Sequence, residues 1–258
     1  MPKFSVAICC MNAADTIQQA CESASWADEL IIVDSGSTDG TQDIARKYAD
    51  KFVEQKWLGF TKQKKLSAEL CSNDWVFILD SDEELSPKLI QQIQQLTDDQ
   101  LDNLDVIYMP RRNYVMGKYI RAWSPDWQSR LIHRNRVTWP EEALHDARVP
   151  SDPSRVLKLS APLEHKKAAP VDFSDYFSGS RMDARLIQVA QQMYDKGKRA
   201  SILDLAFRPY FAFFKFYFLK LGFLDGSFGF LIAQKASVSV QLKYAALWTI
   251  QQQHKSKS

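Results

Sequence analysis

Hydrophobic positions in this chain gather into short apolar runs that stop abruptly at polar residues. Phe4 to Cys9 reads as a strand that ends at Met11-Asn12, and a helical stretch follows from Asp15 to Trp26. Glu29 to Val33 predicts a second strand. It stops at the polar loop Asp34-Ser35-Gly36-Ser37-Thr38-Asp39-Gly40-Thr41, from which a helix runs through about Tyr48. Phe52-Val53 predicts a third short strand, and Lys62 to Cys71 another helix. Trp75-Val76-Phe77-Ile78-Leu79 is apolar at every position, as expected of a central strand covered on both faces, and it stops at Asp80. Ser86-Pro87 opens a further helix with an N-cap serine and a first-turn proline.

Strand and helix alternating at this spacing predict βαβ units and a mostly parallel α/β sheet. Ligands of such sheets bind beyond the carboxyl ends of the strands, where the polar clusters after Val33 and Leu79 both fall. From Val106 to Leu163 the pattern shifts to short strand-like pieces rich in proline, aromatic residues, Arg and His. Ser174 to Lys196 reads as a helix. Leu205 to Leu247 is crowded with phenylalanines, interrupted by Lys215, Lys220, Asp225 and Lys235. The expected organisation is a catalytic domain over 1–170, with halves 1–105 and 106–170, and a helical, aromatic-rich extension over 171–258.

Composition narrows the field. A chain of 258 residues with 45% hydrophobic and 25% charged residues is not globally disordered, and a formal charge of +2 gives no argument for nucleic acid as a partner. Cys9, Cys10, Cys21 and Cys71 form no C-x-x-C pair and read as reduced packing residues, which points to a cytoplasmic protein. The apolar run Phe4 to Met11 is too short for a spanning helix and has no cleavage-site pattern behind it. Between Phe207 and Leu231 no run reaches the ~18 to 20 uncharged residues that span a bilayer. This stretch reads as a helix lying in the membrane interface, apolar over most of its circumference, with Lys215 and Lys220 reaching anionic lipid. The competing reading packs it on the catalytic domain or on a twin subunit.

Asp80 and Asp82, two residues apart where the chain turns beyond a strand, can share a divalent cation such as Mg²⁺ or Mn²⁺, whose shell favours phosphate and water oxygens. The plainer reading is an acidic helix start, because Glu83 and Glu84 follow. Asp34 can accept a hydrogen bond from a nucleotide base or ribose, with Gly36, Ser37 and Gly40 letting backbone approach a ligand; otherwise it caps an ordinary βα loop. Arg111, Arg112, Arg121, Arg130, Arg134 and Arg136 suit phosphates on an anionic acceptor, or form a solvated basic face. His133 and His145 read as structural. Trp123, Trp127 and Trp139 either pack or stack on sugar rings.

Several of these segments resemble family 2 glycosyltransferases of GT-A fold. They are Phe4-Ser5-Val6-Ala7-Ile8 through Asn12, the Val33 to Thr41 loop, and Asp74 through Asp80-Ser81-Asp82-Glu83. Trp123 to Leu131, Ala143-Leu144-His145-Asp146, Leu163-Glu164-His165 and Gly222-Phe223-Leu224-Asp225-Gly226 extend the likeness towards the lipopolysaccharide core β-1,4-glucosyltransferase subgroup. The resemblance implies a UDP-sugar donor met by Asn12, Asp34, Lys64 and Asp80, and a metal held by Asp82 and His165. It implies Asp146 as general base, at a position where relatives have Glu, with Glu141 and Glu142 as competitors. It further implies inverting transfer of a hexose, glucose in that subgroup, to a lipid-linked oligosaccharide at the cytoplasmic face of the inner membrane. Lys65 departs from the family, which has Asn there. A phosphohydrolase with Asp80 as nucleophile would need Thr or Val where Glu84 stands. A membrane-associated carbohydrate-binding protein that has lost catalysis is the non-enzymatic alternative.

Overall fold

The computed structural model describes residues 2–115, 117–140, 148–166 and 179–255. The chain divides into two compact units, Met1–Gly117 with Pro125–Ala169, and Lys118–Ser124 with Pro170–Ser258.

The first unit is built on one sheet. Strands β1 (Phe4–Cys10), β2 (Glu29–Asp34), β3 (Lys51–Glu54) and β4 (Trp75–Asp80) run parallel in the order β3-β2-β1-β4. Helices α1 (Ile17–Ser23), α2 (Thr41–Ala45) and α3 (Phe60–Glu69) make the crossovers. After β4 come the short β5 (Glu83–Leu85), α4 (Pro87–Gln94), α5 (Asp98–Asp102) and the long β6 (Val106–Val115). Later in this unit are β8 (Asp126–His133), the two-residue pair β9 (Val137–Thr138) and β10 (Val149–Pro150), then β11 (Val156–Lys158) and β12 (Leu163–Lys166). The sheet continues from β4 through β8, β6 and β12 to β5. The sheet is mostly parallel, as foreseen in the sequence, and is made mixed by β8, antiparallel to both neighbours, and by β5, antiparallel to β12.

The apolar runs are explained by two layers of packing. Val6, Ile8, Ile32, Phe77 and Leu79 join Ile17, Leu89 and Ile93 on one face, while Ala7, Ile31, Val33, Val76 and Ile78 meet Ala68 and Cys71 on the other. Alternate residues of each central strand are thus buried on opposite sides, which leaves Ser5 of β1 the sole polar residue within these strands ahead of the aspartates at their ends, apart from Glu29 at the start of β2. The Ser86 hydroxyl accepts from the Leu89 amide and Pro87 fills the first turn of α4, as the sequence foretold. Cys10, Cys21 and Cys71 are buried free thiols; burial pushes the last two up to about 12, so they are inert packing groups.

The second unit contains β7 (Lys118–Tyr119), a 3₁₀ turn at Arg121–Trp123, and helices α6 (Gly179–Asp195), α7 (Ile202–Phe214) and α8 (Ser227–Lys255). Ser201 and Asp204 form a reciprocal capping box at the start of α7. Ala190, Ala200 and Leu247 form a small core, and the Gln251 amide pairs with both backbone groups of Ala200 at 2.5 and 3.1 Å. The aromatic stretch is not the single helix that its composition suggests. It breaks into α7, a π turn at Lys215–Leu219 and a 3₁₀ turn at Gly222–Asp225 before α8 begins. Glycine explains the break. A Cβ on Gly229 would lie 1.7 Å from the Gly222 carbonyl oxygen, so the backbones touch where only glycine fits. Asp225 caps the arrangement by accepting from the Ala122 amide at 3.0 Å. Among the described residues no helix is long and apolar enough to cross a membrane.

Candidate active site

The sheet topology decides which residues meet. β8 runs antiparallel to β4, so its first half lies beside the carboxyl end of β4, while β6 and β12 end at that same edge. Register then pairs Arg111 with Asp126, Asn113 with His165, and His165 with Glu83 across neighbouring strands. A one-residue slip would turn each of these side chains to the other face.

The result is a continuous network of charge around Asp80. Its carboxylate accepts from Lys64 Nζ at 2.5 Å and from the Arg130 guanidinium. Arg130, only 2% exposed, also bonds Glu83 at 2.5 Å, and Glu83 is wholly buried. Glu83 accepts as well from Arg111 at 2.9 Å and from the Asp80 amide at 3.3 Å. Arg111 closes on Asp126 with two nitrogens at 2.8 and 2.9 Å. Burial alone would raise the Asp80 pKa, but the cations of Arg130 and Lys64 hold it far below the ordinary carboxylate range. The Asp126 carboxyl is likewise pressed upward by burial and pulled lower overall by Arg111, Asn113 and Gln128.

Asp126 is therefore ionised and can only accept, which fixes its neighbours. Asn113 donates its amide nitrogen to Asp126 at 3.1 Å and offers its carbonyl oxygen to His165 Nδ1 at 2.7 Å. The Nδ1 atom must carry the proton, and Nε2 then faces the Asp82 carboxylate at 3.1 Å. Two acceptors hold that distance only with a proton or a cation between them. One carboxylate oxygen and one imidazole nitrogen, oriented from behind by an amide, suit a divalent ion such as Mn²⁺. Among the described residues no three His, Cys, Asp or Glu side chains converge as a closed metal cage would, so such an ion would complete its shell with ligand oxygens and water.

Asp34 is fully buried at the end of β2 and gathers its own loop about it. It accepts from the amides of Gly36 and Ser37 at 2.9 and 2.8 Å, from the Ser37 hydroxyl, and from Gln42 at 2.9 Å. Burial pushes its carboxyl up, but these hydrogen bonds prevail and hold it below the ordinary value. Gly36 and Gly40, with φ of 94° and 92°, make the turns that allow this. Asn12, itself in the left-handed region at φ 49°, ties the end of β1 to the loop: its amide donates to Ser37 and its side chain accepts from Thr38, both at 2.9 Å.

Of the residues singled out from sequence, Lys64 and Asp80 meet directly, and so do Asp82 and His165; Asn12 joins the Asp34 loop. Asp146, Glu141, Glu142 and His145 lie outside the described residues. Lys65 is an exposed residue that pairs with Glu69 at 3.7 Å. The arginines expected on an anionic acceptor or a solvated face are instead largely engaged within the chain. Arg111 and Arg130 serve the acidic network, Arg134 donates to the Cys71 carbonyl, and Arg136 bonds the carbonyls of Leu101, Asp102 and Leu104 at 3.1 to 3.3 Å. Glu83 is no solvated helix start, since it sits in β5. His133 lies at the far end of β8 from this network, edge-on to Trp75 at 5.5 Å.

A curled mixed sheet flanked by helices, with carboxylates gathered at one strand edge, is the GT-A glycosyltransferase fold. The sequence profile described as "Glycosyl transferase family 2" matches residues 5–149, and the chain belongs to that family. An uncharacterized glycosyltransferase of Rickettsia bellii (strain RML369-C) is 28% identical, covering 89% of this chain and 80% of its own. A lipopolysaccharide core biosynthesis glycosyltransferase of Rhizobium meliloti (strain 1021), LpsC, is 27% identical over 96% of this chain and 93% of its own. The crystal structure of S. aureus TarS 1-349 in complex with UDP-GlcNAc superposes with a TM-score of 0.50 at 16% identity, covering 98% of this chain and 92% of that one.

Proposed function

We propose that the protein is an inverting hexosyltransferase that moves glucose from a UDP-sugar to a lipid-anchored saccharide such as the lipopolysaccharide inner core. The observation that carries this reading is the meeting of Lys64, Asp80 and Arg130 beside the Asp82–His165 pair at one sheet edge. The relation to LpsC supports the choice of acceptor, and the UDP-GlcNAc complex of TarS supports a UDP-sugar donor.

Asp34, Asn12 and their loop would receive the nucleoside, with Asp80 facing the ribose or sugar. Lys64 and Arg130 bring two cations to the strand end, where the diphosphate would lie. Asp82 and His165 would hold Mg²⁺ or Mn²⁺, which when bound supplies charge neutralisation on the departing diphosphate. Asp146 would take the proton from the acceptor hydroxyl, whose oxygen forms the new bond to C1 as the bond to UDP breaks on the opposite face. The acceptor's anchor would place the enzyme at the cytoplasmic face of the inner membrane as a peripheral protein.

A thermal-shift panel of nucleotide sugars with and without Mn²⁺ tests the donor, because a ligand bound to the folded state raises the melting temperature by mass action. UDP-glucose with Mn²⁺ is expected to give the largest rise, and Asp82→Asn to remove the contribution of Mn²⁺. A panel in which no UDP-sugar shifts the melting would overturn the reading. Asp146→Asn should keep the UDP-glucose shift while stopping transfer; unchanged transfer would move the base elsewhere.

A further inference from the structure

We propose that the outer face of α7 is a docking surface for the interface of an anionic lipid bilayer. This rests on the reading of the acceptor as lipid-anchored, and it names the surface that would meet the lipid. Leu203, Phe207, Tyr210, Phe211 and Phe214 recur at three- and four-residue intervals and, with Phe218 in the following π turn, form one continuous stripe. Each is between 46% and 76% exposed. The opposite side of α7 is the one that packs: Pro209 and Ala212 are buried, and Phe213 stacks on Tyr217 and meets Phe230 edge-on. A stripe of six large apolar side chains left in water marks a contact surface rather than a core.

Charge selects the partner. From Asp195 to Asp225 the chain carries six Lys and Arg against three carboxylates, of which Asp204 is taken up by Arg208 at 2.5 Å and by the α7 cap, and Asp225 accepts from the Ala122 amide. Lys196 and Lys198 precede the stripe, Lys215 lies within it between Phe214 and Phe218, and Lys220 follows it. A second copy would bring the same positive charge to the same face and be repelled. An anionic headgroup layer complements it, while the aromatic rings suit the boundary beneath. A helix of thirteen residues is about 20 Å long, which fits lying along a membrane and not crossing it.

The test uses the full chain with vesicles of phosphatidylcholine alone or mixed with phosphatidylglycerol, read by co-sedimentation. Binding to the anionic vesicles should exceed that to neutral ones by roughly tenfold and weaken with added salt. The double variant Phe207→Ser, Phe211→Ser should lose roughly tenfold in binding with its melting temperature unchanged. Lys215→Gln and Lys220→Gln should each cost roughly fivefold on anionic vesicles only. Wild-type protein that ignores anionic vesicles would overturn the proposal. So would full binding by the Phe variant, or a dimer in sedimentation equilibrium that the Phe variant dissociates. The shift given by UDP-glucose is measured on the same samples. Failure of vesicle binding with that shift intact removes the docking surface alone, whereas loss of the shift with binding intact removes the donor reading.

Discussion

In the sheet-bearing unit, the side chains found where ordinary partition would not put them are charges: Arg130 and Glu83 are sealed from water. In the helical unit they are hydrocarbons, with Phe207, Tyr210 and Phe211 facing solvent. The buried charges are tolerable because each meets an opposite partner, and removing one strands the rest. The exposed aromatics stay largely in water and contribute little to the fold. Burial of charged groups therefore demands one strand register in the first unit, while exposure of apolar groups leaves the second with surface free for a partner.

The contrast can be broken most sharply at Glu83. Glu83→Ala would leave Arg130 buried beside fewer acceptors and should cost about 3–5 kcal/mol in urea unfolding. A loss under about 1 kcal/mol would mean that water reaches the network. Gly229→Ala tests the helical unit where it is tight and not where it is open. Its new Cβ would collide with the Gly222 carbonyl, and a loss of about 1–3 kcal/mol by thermal melting is expected. Acid should act on the first unit through Asp34 and Asp126, whose folded pKa values lie below the ordinary 3.8. Their contribution is complete above the unfolded value and is lost as the pH falls through the lower folded ones, so stability followed from pH 7 to pH 3 should decline at the acid end. Ser37→Ala removes one hydrogen bond from buried Asp34 and should cost about 1 kcal/mol in urea unfolding. At the bottom of the scale, Phe211→Ser should change folding stability by less than about 0.5 kcal/mol.

Much of the first unit was legible in the sequence, because apolar runs such as Trp75 to Leu79 can only be strands covered twice, and their ends mark the ligand edge. Asp80, Asp82 and the Asp34 loop followed directly from that. Arg130, Glu83 and Arg111 did not, since each is partnered across strands far apart in the chain and the pairing depends on a register that no local pattern records. Simple alternation would not have found Arg130 either, because the register of β8 shifts beside it: Ser129 pairs with Tyr108 but Leu131 with Ile107. The break in the aromatic stretch was hidden for a different reason. Gly222 and Gly229 are spaced like ordinary helix glycines, and only their mutual contact shows that the chain doubles back between them.

The network around Asp80 draws on Lys64, Glu83, Arg111, Asp126, Arg130 and His165, contributed by α3, β5, β6, β8 and β12. None of these segments can assemble it locally, and its longest pairing, Asp82 with His165, spans 83 positions along the chain. Contacts of such separation form late, after the entropy of closing long loops has been met. The site therefore comes into being only with the last strands of the sheet, and a nascent chain released before β12 would carry the aspartates of its strand ends without a geometry in which to use them.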